Sequence, residues 1–321
     1  MSKNPRKSPG LGLLIALLCL VSLLLAACGD PTATSVPPTT APTTTIVATT
    51  TTTIATTTAA ATTTAVATTT LANTTATGEL IVFAASSLTD PFNEIKTALE
   101  TANPGLKVTI NFGGSNTLRA QLEQGAKADV FASANQTEMD NALKSNLVAD
   151  KGTTFVRNRL VVILPKSNPG KVQTLQDLAK SGLKFVTAQK DVPVGGYTLQ
   201  ALDKMSKDPA FSPDFSTKVQ ANFVSQESNV KQVVAKVQLG EADAGIVYSS
   251  DISAKVSPDL ATIEIPDQFN TLAAYPIATL KGAANTAAAK VFVDYVLGDK
   301  AQAILKKNNF IPISSTTSST R

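Results

Sequence analysis

The sequence predicts an α/β protein of two doubly wound lobes with a ligand cleft and a hinge between them. Three observations carry that prediction. From Leu80 onward, short apolar runs of strand length alternate with segments whose apolar residues recur at helical spacing, the pattern of βαβ units and a largely parallel sheet. Several strand-to-helix corners are built from serine and glycine. A strong apolar run, Leu160-Val161-Val162-Ile163-Leu164, stands mid-chain, where the chain is expected to cross into a second lobe.

The 321 residues do not all read as domain material. Lys3, Arg6 and Lys7 precede an apolar stretch from Leu11 to Ala27 broken only by Ser22 and Gly12. A basic start, an apolar core and small residues before a break make a secretory signal over 1–27. From Gly29 to Thr77 the chain is nearly all Thr, Ala and Pro with Asp30 its single charge, too little apolar surface to fold. As a flexible coil this tether would span roughly 40 Å. Its threonines make O-glycosylation conceivable.

The domain proper is predicted over 78–321, with lobe I formed by 78–158 and 249–321 and lobe II by 159–248. Leu80-Ile81-Val82-Phe83 forms a buried strand, and Ala84-Ala85-Ser86-Ser87 turns it into a helix capped by Thr89 or Asp90, with Pro91 in the first turn. Phe92, Ile95, Ala98 and Leu99 share one helical face, and Asn103-Pro104-Gly105 ends it. Val108–Phe112 alternates as a second strand and runs through Gly113-Gly114-Ser115 into a helix with Leu118 and Leu122 inward. Ala128–Ala132 is a third strand, backed by a helix bearing Met139 and Leu143.

In lobe II the expected order is a helix over Thr174–Lys180, a strand over Lys184–Thr187, and Val192-Pro193-Val194-Gly195 leading into a helix with Ala201, Leu202 and Met205. A strand over Val219–Val224 follows, then Ser225–Asn229, then a helix with Val230, Val233, Val234 and Val237 inward. Gly245–Asp251 carries the chain back. A helix bearing Phe292, Tyr295 and Leu305 rejoins lobe I.

Composition excludes much chemistry. Histidine is absent and the only cysteines, Cys19 and Cys28, lie upstream of the domain, so neither a Ser-His-Asp triad nor a Cys/His zinc site is available to it. The domain holds 28 − 3 = 25 basic and 24 − 1 = 23 acidic residues. A net charge of +2 without a basic run leaves no nucleic-acid footprint.

The corners at Ser86/Ser87, Ser115, Val194-Gly195 and Ser228-Asn229-Val230 point at one cleft, with Tyr248 a fifth contributor. All offer neutral donors: hydroxyls, or backbone N–H groups of first turns that lack a partner within their helix. Such a site suits a fully ionised oxyanion, whose oxygens only accept. Amino acids and dicarboxylates usually meet an arginine fork, and the domain has only Arg119, Arg157, Arg159 and Arg321. Taken singly, each of these serines reads as a helix cap, each glycine pair as a close turn and Tyr248 as a core tyrosine; their order along the chain carries the reading.

Phe83-Ala84-Ala85-Ser86-Ser87-Leu88-Thr89, Phe112-Gly113-Gly114-Ser115, Ala128-Asp129-Val130-Phe131-Ala132-Ser133-Ala134, Val192-Pro193-Val194-Gly195 and Gly245–Asp251 together resemble the molybdate-binding proteins of ABC importers over almost all of 79–312. Leu25-Ala26-Ala27-Cys28 resembles a bacterial lipobox, which implies cleavage before Cys28 and lipidation of that residue. The family resemblance implies a periplasmic-binding-protein type II fold and a non-enzymatic receptor for molybdate or tungstate. The metal would be bound as its oxyanion, with no direct protein–metal bond and no cofactor. Ligands would be Ser87 and Ser115 through hydroxyl and amide, Val194 and Val230 through their amides, and Tyr248 through its hydroxyl. The choice between Ser86 and Ser87 rests on distance to Leu88-Thr89. Partners would be an ABC permease with its cytoplasmic ATPase and, through the lipid, the outer face of the bacterial cell membrane; a monomer is expected. Rival readings are a receptor for sulfate or phosphate, a secreted Ser/Lys hydrolase acting through Ser87 or Ser115, and a surface interaction module.

Overall fold

The computed structural model describes residues 76–313. The signal segment, Cys28 and the tether up to residue 75 lie outside the described residues. The chain opens with β1 (Gly78–Ala85), α1 (Thr89–Ala102), β2 (Leu106–Gly113), α2 (Ser115–Glu123), β3 (Val130–Ala132), α3 (Gln136–Lys144) and β4 (Thr153–Asn158). There follow β5 (Leu160–Pro165), β6 (Phe185–Ala188), α4 (Pro193–Ser206), α5 (Phe215–Ala221), β7 (Phe223–Glu227), α6 (Val230–Gln238), β8 (Ala244–Tyr248) and β9 (Leu260–Glu264). It closes with β10 (Ala273–Thr279), α7 (Thr286–Leu297), α8 (Asp299–Lys307) and β11 (Ile311–Pro312).

The strands form two sheets, ordered β11-β4-β10-β3-β1-β2 and β7-β6-β8-β5-β9. Each is mixed rather than largely parallel. β2-β1-β3 and β7-β6-β8 are the parallel βα portions, while β10, β4 and β11 on one sheet and β5 and β9 on the other pair antiparallel. Leu80, Val82, Phe83, Ala84 and Ala85 of β1 are all buried, since helices cover both faces of a central strand and its sequence is apolar without alternation. Phe92, Ile95 and Leu99 of α1 are buried at helical spacing. Leu118 and Leu122 face inward from α2 and Met139 from α3, forming a smaller core with Phe131.

Six further sequence expectations need correction. Val219 lies in α5, where it and Phe215 bury one face four residues apart; the strand begins only at Phe223. The chain does not return to lobe I at 249, because β9 pairs along β5 as an edge strand of the second sheet, so lobe II continues through Glu264. Thr174–Lys180 holds a 3-10 turn over Leu175–Ala179. No side chain caps α1: a 3-10 turn over Ser86–Leu88 feeds it directly, and the Thr89 hydroxyl donates to the Ser86 carbonyl at 2.6 Å. The single C-terminal helix is two, broken at Gly298. Ordered packing also starts slightly earlier than 78: Ala76 is buried, and its N–H donates to Asn103 Oδ1 at 3.0 Å.

The chain crosses between sheets twice, at Arg159 and between Glu264 and Ala273. Buried Asn270 ties the crossings together. Its Nδ2 donates to the carbonyls of Leu160 at 2.9 Å and Ile265 at 3.1 Å, while its Oδ1 accepts from Leu160 N–H at 2.9 Å. This paired connection is the hinge.

Candidate functional site

Four chain corners and one strand end meet between the two sheets. Ala85, Ser86 and Ser87 come from the end of β1, Gly113, Gly114 and Ser115 from the β2–α2 corner, and Val192, Pro193 and Val194 from the start of α4. Val230 opens α6, Tyr248 ends β8, and Ala134 completes the wall. The cavity among them is about 10 Å³, room for about one water-sized sphere and far below the range of pockets for drug-sized organic ligands. Every residue predicted for the site, Ser87, Ser115, Val194, Val230 and Tyr248, lines it, and each is buried.

Local sequence explains the convergence. Ser115 and Val230 are the first residues of α2 and α6, and Val194 is the second of α4 behind Pro193. N–H groups at these positions have no acceptor within their helix, and each helix end adds partial positive charge. Asn229 caps α6, its Oδ1 accepting from Gln232 N–H at 3.2 Å, which leaves the Val230 amide uncommitted to the cap. Among the described residues, no charged side chain lines the cavity. The nearest cation in sequence, Lys231, is engaged with Asp90 at 3.1 Å and Asp251 at 3.4 Å.

Two of the hydroxyls are placed to donate. Ser115 Oγ accepts from Ala134 N–H at 3.0 Å, so its own hydrogen remains for another acceptor. Tyr248 is 1 % exposed, and among the described residues its Oη makes no hydrogen bond of normal geometry, although the Tyr275 hydroxyl stands near it. Burial pushes its phenol well above the ordinary value, so it keeps its proton at neutral pH. Both Ser86 and Ser87 reach the cavity. Ser87 Oγ lies 2.9 Å from Tyr275 Oη, whereas Ser86 gives its carbonyl to Thr89. A wider groove opens beside the cavity, bordered by Arg119 and Glu138 of lobe I and Lys190 and Tyr197 of lobe II.

Two residues behind the wall were not legible in the sequence. Tyr275 sits in β10 within an unremarked apolar run, and Asn158 ends β4. The only available signal was general: a buried tyrosine or asparagine requires hydrogen-bond partners.

Comparison with known proteins places this architecture. Residues 80–311 match the family described as bacterial extracellular solute-binding protein. A relative named molybdate-binding protein ModA, from Mycobacterium tuberculosis, is 36% identical over 231 residues, which cover 72% of this chain and 84% of the relative. Among solved structures, the periplasmic molybdate-binding protein of Azotobacter vinelandii superposes with a TM-score of 0.63 at 21% identity, over 73% of this chain and 99% of that one. The sulfate-binding protein SubI of M. tuberculosis does so with a TM-score of 0.66 at 15% identity, over 74% and 88%. At those identities the structures speak to the fold alone, which is the type II periplasmic-binding fold. The chain belongs to the ModA-like, molybdate-binding family of bacterial extracellular solute-binding proteins.

Proposed function

We propose that this protein captures molybdate or tungstate outside the cytoplasmic membrane and delivers it to an ABC importer, its lipidated Cys28 holding it at the membrane through the Thr/Ala/Pro tether. The oxyanion would be held by the hydroxyls and amides of Ser87 and Ser115, the amides of Val194 and Val230, and the Tyr248 hydroxyl. No bond in the ligand is made or broken. The observation that carries the reading is a small cavity that the described residues line with neutral groups alone, where the buried Tyr248 Oη makes no hydrogen bond of normal geometry to them. A ligand that can only accept hydrogen bonds satisfies such a wall completely.

The sulfate-binding neighbour of the same fold supports a second reading, a receptor for another tetrahedral oxyanion. Sulfate presents the same charge and the same acceptors, so discrimination falls to cavity size. A Ser/Lys hydrolase is disfavoured on geometry. Ser87 Oγ is paired with Tyr275, Ser115 Oγ accepts from a backbone amide, and Lys231 is held by two carboxylates, so neither serine has a base.

The test is thermal unfolding of the full-length chain with molybdate, tungstate, sulfate or phosphate added separately. A ligand at 100 times its dissociation constant stabilises the native state by about 2.7 kcal/mol. A raised midpoint with molybdate and tungstate alone is the expected result. A rise with sulfate or phosphate instead reassigns the ligand, and no rise with any of the four removes the oxyanion reading.

A further inference from the structure

We propose that Asn158 and Tyr275 are positioning residues that set the direction of the Ser87 hydroxyl, so that a side chain at the hinge makes this serine a donor toward the bound oxyanion. The inference rests on the oxyanion reading above and assigns roles to two residues outside the ligand shell.

The first bond of the relay follows from which groups can only donate. Asn158 Oδ1 accepts from the Arg159 backbone N–H at 3.0 Å and faces Ser249 Oγ at 3.1 Å. A backbone N–H cannot accept, so this end of the amide is its oxygen and the other end is its NH2 group. That Nδ2 faces Ser250 Oγ at 2.7 Å and Tyr275 Oη at 3.3 Å, and it carries only hydrogens. Tyr275 Oη accepts from Asn158 with one lone pair; its contact with Ser87 Oγ, 2.9 Å away, admits either hydroxyl as donor, and the relay takes Tyr275 as that donor. Ser87, already accepting, is left with its hydrogen for the cavity. Reversed, the Ser87 hydrogen would be spent on Tyr275 and the serine would turn lone pairs toward an anion.

Burial keeps the relay from being short-circuited by solvent. Asn158 and Tyr275 are fully buried, as are Ser87 and Ser250 to within a few per cent. The Tyr275 ring is fixed by near-perpendicular packing against Phe155, Tyr248 and Phe310, with centroids 5.5–6.4 Å away. Asn158 is the last residue of β4, immediately before the Arg159 crossing. The hydrogen-bond direction at the ligand is thus set at the pivot about which the lobes connect.

A double-mutant cycle on the full-length chain tests this, with molybdate affinity measured by titration calorimetry for the unsubstituted chain, Tyr275→Phe, Ser87→Ala and the double variant. Tyr275→Phe is expected to weaken molybdate about tenfold where Ser87 is present, the scale of one hydrogen bond to a charged group, and to have no further effect in the Ser87→Ala background. An equal loss in both backgrounds, or no loss in either, overturns the relay while leaving the oxyanion reading intact. Failure of the unsubstituted chain to bind molybdate, tungstate, sulfate or phosphate removes the reading and the relay with it. If Tyr275→Phe lowers the unliganded unfolding midpoint, Asn158→Asp carries the same cycle, because it keeps the acceptor for Arg159 N–H and puts a second acceptor before Tyr275. Its loss of affinity should be larger than that of Tyr275→Phe and should shrink when Ser87 is alanine. A loss of the same size in both backgrounds again overturns the proposal.

Discussion

Tyr248 and Ser115 contribute similar donors to the cavity, yet their hydroxyls stand in opposite relations to the rest of the protein. Tyr248 Oη is buried without a hydrogen bond of normal geometry to the described residues, so the unliganded fold gains little from it. Ser115 Oγ accepts from Ala134 N–H, so the fold uses it. Tyr248→Phe should leave unliganded stability unchanged or raise it by up to about 1 kcal/mol, while Ser115→Ala should lower it by about 1–3 kcal/mol by orphaning a buried amide. Both should weaken molybdate binding by roughly 1.5–3 kcal/mol, as for a hydrogen bond to a charged group. Denaturant unfolding without ligand, paired with calorimetric titration, separates the two effects. Tyr248→Phe binding molybdate as tightly as the unsubstituted chain would remove that residue from the ligand set.

At the scale of elements, two glycines at βα corners do different work. Gly114 precedes α2 with φ −63° and ψ 134°, a conformation open to any residue. A Cβ there would nevertheless lie 2.5 Å from the carbonyl oxygen of Ser228, which belongs to the other lobe, and 2.8 Å from the tip of the Asn116 side chain in its own. Gly195 is confined within its own lobe, where a Cβ would lie 2.1 Å from the Gln189 carbonyl oxygen. Gly114→Ala should therefore hinder the approach of the lobes, while within its own lobe only the Asn116 side-chain tip has to move. Overpacking of about 1–3 kcal/mol would appear as a roughly 5- to 150-fold loss of molybdate affinity. Gly195→Ala should instead lower the unliganded unfolding midpoint. A Gly114→Ala variant that loses stability but keeps affinity would show the contact to be structural only.

Across the whole molecule, the lobes are joined beside the cavity by a mixed-charge cluster. Lys231 of α6 reaches Asp90 of α1 in the other lobe at 3.1 Å and fully buried Asp251 at 3.4 Å. Burial raises the Asp251 pKa against the opposing pull of Lys231. Lys231→Met would leave that carboxylate buried and unpaired, at a cost of about 3–5 kcal/mol. The sign of the pH dependence follows. Without Lys231, burial and the Asp90 carboxylate oppose the one remaining favourable contact, the Tyr248 N–H, and hold the folded-state pKa of Asp251 above its unfolded value, so ionisation opposes folding at neutral pH. The loss is relieved as pH falls through the raised pKa. Unfolding midpoints of Lys231→Met should thus approach those of the unsubstituted protein as the solution is acidified. A gap that stays constant with pH would show that Asp251 is not the source of the cost.

The alternation of strands and helices, the four serine- and glycine-bearing corners and the return through Tyr248 were all legible in the sequence, because each is a local pattern: periodicity, turn chemistry and unpartnered first-turn amides. Neutral donors without a cation at the site could be read from composition and motif alone. The antiparallel strands β4, β9 and β10 carried no such signal. Their short runs gain order only from the neighbours they pair with, which is why the lobe boundary falls after Glu264 and not at Ser249. The tertiary structure alone decided that Tyr275 stands behind Ser87, that Asn158 stands behind Tyr275, and that Gly114 meets Ser228 across the lobes. Those contacts join residues 188, 117 and 114 positions apart, and a hydrogen bond or steric contact over that span exists only once both sheets have formed and the hinge has brought them together.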